Sequence, residues 1–254
     1  SSVMIEVKGV NKRFGDHHVL KDVDAQFHKG QVNIIIGQSG SGKTVLTKCM
    51  VGLHDVDSGS ILYDGRDFSS LSFKEKKSIR KDIGMLFQGG ALFDSMTVAE
   101  NIMFPLQMFT EMTKEEMIDR ANFCLDRVNM VGSNKLYPSE CSGGMQKRVA
   151  IARAISLKPK YLFCDEPNSG LDPKTSIVID NLIKEITYEY NMTTIVVTHD
   201  MNSVIEIGDN IIFIFNGKKW WEGSKQDILT TDNEEILNFV YASQFMKQLK
   251  GKLS

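Results

Sequence analysis

The stretch Gly37-Gln38-Ser39-Gly40-Ser41-Gly42-Lys43-Thr44 constrains this chain more than any other part of it. It fits the glycine-rich pattern of a strand that turns through a tight loop into a helix. The flanks agree with that setting. Val32–Ile36 is a short apolar run rich in β-branched residues and reads as a buried strand, while residues 43–51 read as a helix. By chance the fixed positions would recur in a chain of 254 residues roughly once in a hundred. Glycines let the backbone curl so that successive N–H groups point at phosphate oxygens. The helix behind them adds its partial positive charge. Lys43 is expected to reach the β- and γ-phosphates, and the Thr44 hydroxyl to ligate Mg²⁺.

A second constellation suits the first. Tyr161-Leu162-Phe163-Cys164-Asp165-Glu166 is an apolar strand that ends in two carboxylates, and ligands bind at strand carboxyl ends in open α/β sheets. Asp165 fits an acid that holds Mg²⁺ through a water, and Glu166 one that orients or deprotonates an attacking water. Residues 194–197 form another apolar run, followed by His199, whose imidazole is expected at a γ-phosphate and the water. His17, His18, His28 and His54 read as structural.

Around these motifs, residues 4–8, 19–27 and 60–64 read as strands of an antiparallel region, punctuated by Gly9, Gly15 and Gly65. Helices are expected at 95–105, 114–128, 144–156 and 174–189. Strands alternating with helices imply a parallel sheet covered on both faces. Residues 211–215 and 218–222 form a hairpin around Asn216-Gly217. Residues 233–249 close as an amphipathic helix with Ile236, Phe239, Val240 and Ser243 on one face. There is no internal repeat and no apolar run of the ~20 residues that span a bilayer. The opening residues read as a strand rather than a signal peptide, so a membrane process would need another chain to cross the membrane. A net charge of -2 gives no field that draws the chain onto nucleic acid, and no such partner is expected. The four cysteines stand apart, without metal-ligand spacing, as in a reduced compartment.

Ser142-Gly143-Gly144-Met145-Gln146, followed by residues 147–154, resembles the signature of ABC ATPases. Residues 165–172 resemble that family's Walker B end and D-loop, Gln88 its Q-loop glutamine, and His199 its switch histidine. Order and spacing agree to about residue 225. The resemblance implies an α/β fold: a P-loop NTPase (RecA-like) parallel core sheet, an N-terminal antiparallel β subdomain and an inserted ABC α-helical subdomain. The core would occupy 1–88 and 159–225, the helical part 89–158, and a C-terminal extension 226–254. It implies an ATPase that uses ATP and Mg²⁺ and acts as a homodimer. Catalysis would fall to Glu166, His199, Lys43 and Gln88, with Thr44, Gln88 and Asp165 at the metal. ATP would lie on Gly37, Gln38, Ser39, Gly40, Ser41, Gly42, Lys43, Thr44 and Val45 of one copy. Ser142, Gly143 and Gly144 of the other copy would close over the γ-phosphate, with Asp172 helping to join the halves and Phe14 stacking on adenine. Cys141 and Met145 replace the usual leucine and glutamine of the signature, away from its phosphate donors, and Asn168 replaces a more common Thr or Ser.

Three strings, at 87–98, 137–140 and 163–167, are similar to the ATPases of Mla and related MCE-linked phospholipid transporters of Gram-negative bacteria. That similarity implies an MlaE-like permease, an MCE-domain periplasmic protein reached through it, and room for a small regulatory subunit. It also implies a place on the cytoplasmic face of the inner membrane. Eight of the thirteen methionines lie in 85–145, adaptable packing for a groove or for a small helical core. Competing readings are an ABC ATPase for amino acids or lipoproteins, a soluble one acting on ribosomes or DNA, and a nucleotide-binding regulator that does not hydrolyse. Glu166 argues against the last.

Overall fold

The computed structural model describes residues 3–87 and 92–253, without the side chains of 244–251 and 253. Gln88, with Gly89, Gly90 and Ala91, lies outside the described residues. The chain divides into two compact units, Ser1–Ser72 with Ile195–Ser254, and Phe73–Thr194.

The first unit opens with β1 (Val3–Phe14), β2 (His17–His28), β3 (Val32–Ile36), α1 (Lys43–Met50), β4 (Ser58–Tyr63) and β5 (Arg66–Asp67). The second unit holds α2 (Phe73–Lys81), β6 (Ile83–Leu86), α3 (Val98–Phe109), α4 (Lys114–Arg127), α5 (Gly143–Ile155), β7 (Tyr161–Asp165) and α6 (Pro173–Glu189). After β8 (Thr193–Thr198), the first unit resumes with α7 (Met201–Ile207), β9 (Asn210–Phe215), β10 (Lys218–Gly223), α8 (Lys225–Thr230) and α9 (Glu234–Leu253).

In the first unit, β2-β1-β4-β5 form an antiparallel sheet. Its strands alternate as a half-buried sheet should, with Ile5, Val7 and Val10 of β1 inward. A second run of neighbours is β10-β9-β3-β8, in which β3 pairs parallel with β9. Every residue of β3 is buried, which is why its sequence is apolar except at Asn33, whose side chain hydrogen-bonds to His28 and Asn210. The first half of α9 docks on this unit. Ile236 and Phe239 are buried, Val240 and Ser243 half-buried, and the Phe239 ring packs 5.6 Å from that of Phe213 in β9.

In the second unit β6 and β7 run parallel, with Leu86 opposite Cys164. Helices α3, α4 and α5 pack on one another through Ile102 and Leu106, Ala121 and Cys124, and Val149 and Ile151. α3 begins at Val98 rather than at 95. Thr97 and Glu100 make a reciprocal cap there, and that cap sets the boundary. Pro105 stands inside α3 instead of ending it, because buried Leu106 carries the packed face onward. α2, β5, β6, α7 and α8 are not anticipated from the sequence: β5 and β6 are two and four residues long, and α2 and α8 bury one residue each, Ile79 and Ile228, so no apolar stripe marks them. The sequence reading also stops the first strand at residue 8. In the second half of β1, Asn11, Lys12 and Arg13 hide the alternation and the register shifts.

All four cysteines are buried and free. Burial, ahead of any nearby charge, pushes Cys49 up to about 11 and raises the thiols of Cys124, Cys141 and Cys164 as well. Only the thiolate is a good nucleophile. The native chain is therefore expected to stay unlabelled by a thiol reagent such as Ellman's at neutral pH, and to release four thiol equivalents after denaturation. Absorbance titration of the two states checks this.

Candidate functional site

The P-loop is built from the end of β3. α1 starts at Gly42, whose φ of 107° lies in the left-handed region that glycine tolerates, and no side chain caps it. The first N–H groups of any helix lack intrahelical partners. In α3, α4, α5 and α6 an oxygen of Thr97, Thr113, Ser142 or Asp172 accepts from one of them. At α1 the N-cap is Gly42, which has no side chain to do so, and no acidic residue stands in its first turn. A helix end left in that condition is suited to an anion. Ser41 adds to the fit: its Oγ is buried and has no hydrogen-bond partner among the described residues. Such a hydroxyl costs free energy that a phosphate oxygen would relieve. Lys43 is buried at the first helical position, Thr44 and Val45 are half-buried, and Gln38, Ser39 and Gly40 face solvent above the buried Gly37.

The β9–β10 turn buttresses this loop. Gly217 donates its N–H to the Ser41 carbonyl at 3.0 Å, and its own carbonyl accepts from Lys21 at 2.9 Å. It has φ 75°, and an added Cβ would stand 2.2 Å from the Val19 carbonyl oxygen. Asn216-Gly217 is legible in sequence as a turn, but nothing in the sequence tells that the turn supports the phosphate loop.

Two further predicted residues belong to this unit. Phe14 ends β1 with 43 % of its surface exposed, its ring edge-packed on His54 at 5.2 Å and the Lys12 ammonium 5.2 Å from its centroid. An exposed aromatic face of this kind can stack on a flat base. His199 is exposed and follows β8, the neighbour of β3. Asp200 after it caps α7 through the Asn202 N–H.

In the second unit, Asp165 and Glu166 are 6 % and 7 % exposed at the end of β7. Glu166 has φ 48°, a left-handed backbone that costs a β-carbon residue about 1–2 kcal/mol. It also precedes Pro167, where extended backbone is the rule. Outliers of this sort persist where the surroundings over-determine them, and they cluster at active sites. The turn behind it closes with Ser169 N–H to the Glu166 carbonyl at 3.1 Å. Asn168, which replaces a more common Thr or Ser, is buried and donates its amide to both carboxylate oxygens of Asp180, at 3.3 Å each.

The signature residues also fall in this unit. Ser142 caps α5, its Oγ accepting from Met145 N–H at 3.2 Å. A hydroxyl used as acceptor keeps its proton for a second partner. Gln146 braces the preceding loop by donating to the carbonyls of Pro138 and Cys141. Gly143 opens α5 against Leu171, and a Cβ on Gly144 would meet Thr175 at 2.7 Å, so the signature packs on the start of α6. Asp172 caps α6, and the Thr175 hydroxyl and then its N–H hold the Asp172 carboxyl below the usual carboxylate range.

Comparison with known proteins fits these two units. The ABC transporter family profile matches residues 20–169. A probable ribonucleotide transport ATP-binding protein, mkl, of Mycobacterium leprae is 39 % identical over 94 % of this chain and 69 % of its own length; the chain spans about two thirds of the mycobacterial relatives it matches. An intermembrane phospholipid transport system ATP-binding protein, MlaF, of Haemophilus influenzae is 38 % identical over 93 % of this chain and 90 % of its own length. A methionine import ATP-binding protein, MetN, of Clostridium tetani is 37 % identical over 96 % and 76 %. Among solved structures, a dimeric post-hydrolysis state of the ATP-binding cassette MJ0796 with ADP and Pi superposes with a TM-score of 0.78. It is 33 % identical and covers 87 % of this chain and 98 % of its own.

Gly217→Ala is expected to lower stability by about 1–3 kcal/mol and to weaken ATP binding, because the Ser41 carbonyl loses a fixed anchor. Gly65→Ala, also at positive φ but in open space, is expected to cost stability alone. Urea unfolding and nucleotide titration of both variants check the contrast.

Proposed function

This chain belongs to the ABC transporter family, and from that we infer that it is an ATP-hydrolysing subunit that drives phospholipid movement through a separate permease. The observation that carries the ATPase reading is the uncapped, acid-free start of α1 behind the P-loop, a helix end built for an anion. In this reading Lys43 and the loop N–H groups bind the β- and γ-phosphates of ATP, and Phe14 stacks on the adenine. Glu166 orients the attacking water and takes its proton, and His199 and Gln88 hold the water and γ-phosphate in line. The Thr44 hydroxyl and the Asp165 carboxylate are hard oxygen donors of the kind Mg²⁺ prefers, and Gln88 would join them. Held there, Mg²⁺ would supply positive charge that offsets the charge developing on the phosphate oxygens.

The reaction takes two copies of the chain. Ser142 of one copy, with the N–H groups of Gly143 and Gly144, closes over the γ-phosphate held by the P-loop of the other. The Ser142 proton left unused by the helix cap is the donor, and Asp172 stands near the seam.

The phospholipid reading rests on the match to the Haemophilus protein, which runs nearly end to end in both chains. An MlaE-like permease, an MCE-domain protein beyond it, a small regulatory subunit and a Gram-negative inner membrane follow from that reading. No helix among the described residues is long and apolar enough to cross a membrane. A second reading, amino-acid import, is favoured by the methionine-import relative. Purification of the chain from its native membranes, with mass-spectrometric identification of partners, separates the two. An MlaE-like permease with an MCE protein supports lipid transport, and an amino-acid permease replaces it.

Glu166→Gln is expected to slow phosphate release by about two orders of magnitude or more and to trap an ATP-bound dimer visible by light scattering. Lys43→Ala is expected to weaken ATP binding roughly tenfold or more and to leave no measurable turnover. Wild-type turnover in either variant removes that residue from its assigned role.

A further inference from the structure

Four polar side chains of the second unit sit in the core at one place. Asp165, Glu166 and Asn168 follow β7, and Asp180 lies two turns into α6; each is less than a tenth exposed. Asp180 is 3 % exposed, and Asn168 donates to both of its carboxylate oxygens. Its charge also reaches the end of β7. After burial, Asp180 is the first charge that holds the Cys164 thiol up, ahead of Asp165.

A carboxylate placed this deep must be compensated, and one of its partners is the amide of Asn168, from the turn that follows β7. That turn needs holding. Glu166 keeps a left-handed backbone before a proline, and Asn168 is the next residue whose side chain could fix it. The backbone bond from Ser169 to Glu166 closes the turn within itself. The Asn168 amide ties it to a 17-residue helix.

We propose that Asp180 is a positioning residue for ATP hydrolysis, holding the Glu166 turn in its left-handed form through the Asn168 amide. This rests on the reading of Glu166 as the residue that activates water. The bond links a rigid helix to a strained catalytic turn, so it controls where the Glu166 carboxylate points and leaves the phosphate-binding loop of the first unit untouched. Misplacement of a catalytic group affects turnover far more than substrate binding.

The test measures phosphate release by the full chain with Mg²⁺ and ATP across ATP concentrations. Asn168→Asp sets a second carboxylate against Asp180, and Asn168→Ala removes the amide without adding charge. The exchange Asn168→Asp with Asp180→Asn restores an amide–carboxylate pair in the reverse sense. Expected are a kcat lowered about tenfold or more in both single variants with KM for ATP nearly unchanged, and recovery of most of that loss in the exchanged pair. Wild-type kcat in Asn168→Ala overturns the proposal. So does an exchanged pair that is folded by circular dichroism yet as slow as Asn168→Asp. Glu166→Gln is measured alongside. Undiminished hydrolysis there overturns the reading of Glu166 itself, whereas loss there beside wild-type rates in the Asn168 variants overturns only the role given to Asp180.

Discussion

The structure turns on the start of one helix, where a glycine stands in place of a side-chain cap. Every α-helix begins with donors that its own turns cannot use, and most helices here consume one with a side-chain oxygen. Thr97, Thr113, Ser142 and Asp172 do so for α3, α4, α5 and α6. α1 departs from that practice, with a left-handed glycine where a cap would stand and no carboxylate in the first turn. A cap there would add about 1 kcal/mol to the helix and would fill the place of an anion. The chain forgoes that local stability, and the surrounding fold makes it good. β3 is buried along its whole length, and the β9–β10 turn fastens the Ser41 carbonyl from outside the loop.

The second unit shows the same trade in another form. Glu166 is held in a backbone that a residue with a side chain avoids, and the stabilisation comes from neighbours: the turn bond from Ser169 and the buried amide of Asn168 on α6. Capping and phosphate recognition need not exclude each other there. Ser142 accepts from the helix and retains its proton, so α5 is stable before any ligand arrives. The two helix starts are chemically unlike. One has a left-handed glycine where a cap would stand, and the other offers a hydroxyl beside two glycines.

Much of this was legible in the sequence. The P-loop, the carboxylates after an apolar strand and the Asn216-Gly217 turn are local patterns whose chemistry depends on neighbours in sequence, and each stands on the elements expected. What escaped depends on distance along the chain. Nothing near Asn168 announces Asp180, twelve residues on, and nothing near Ser41 announces Gly217. Boundaries failed for a different reason. Thr97 outweighs the apolar pattern in starting α3, and Pro105 costs less than the packing of Leu106 returns. α2 buries only Ile79 and β6 is four residues long, so neither shows a periodic apolar face in sequence.

The difference between the helix starts bears on why the proposed reaction would use two copies. A single anion-binding helix end supplies partial charge and N–H donors, enough to bind a triphosphate but with no preference for the moment when charge moves onto the γ-phosphate. Catalysis needs donors that are completed only when the substrate is in place. In the proposed reading Ser142 with Gly143 and Gly144 would be such a set of donors, and the cap and the packing of Gly144 on Thr175 are internal to its unit. Supplied by a second copy, those donors would be absent from the resting subunit and present only in the closed pair. Hydrolysis would then be tied to association by the geometry of the donors, without any change in the P-loop itself.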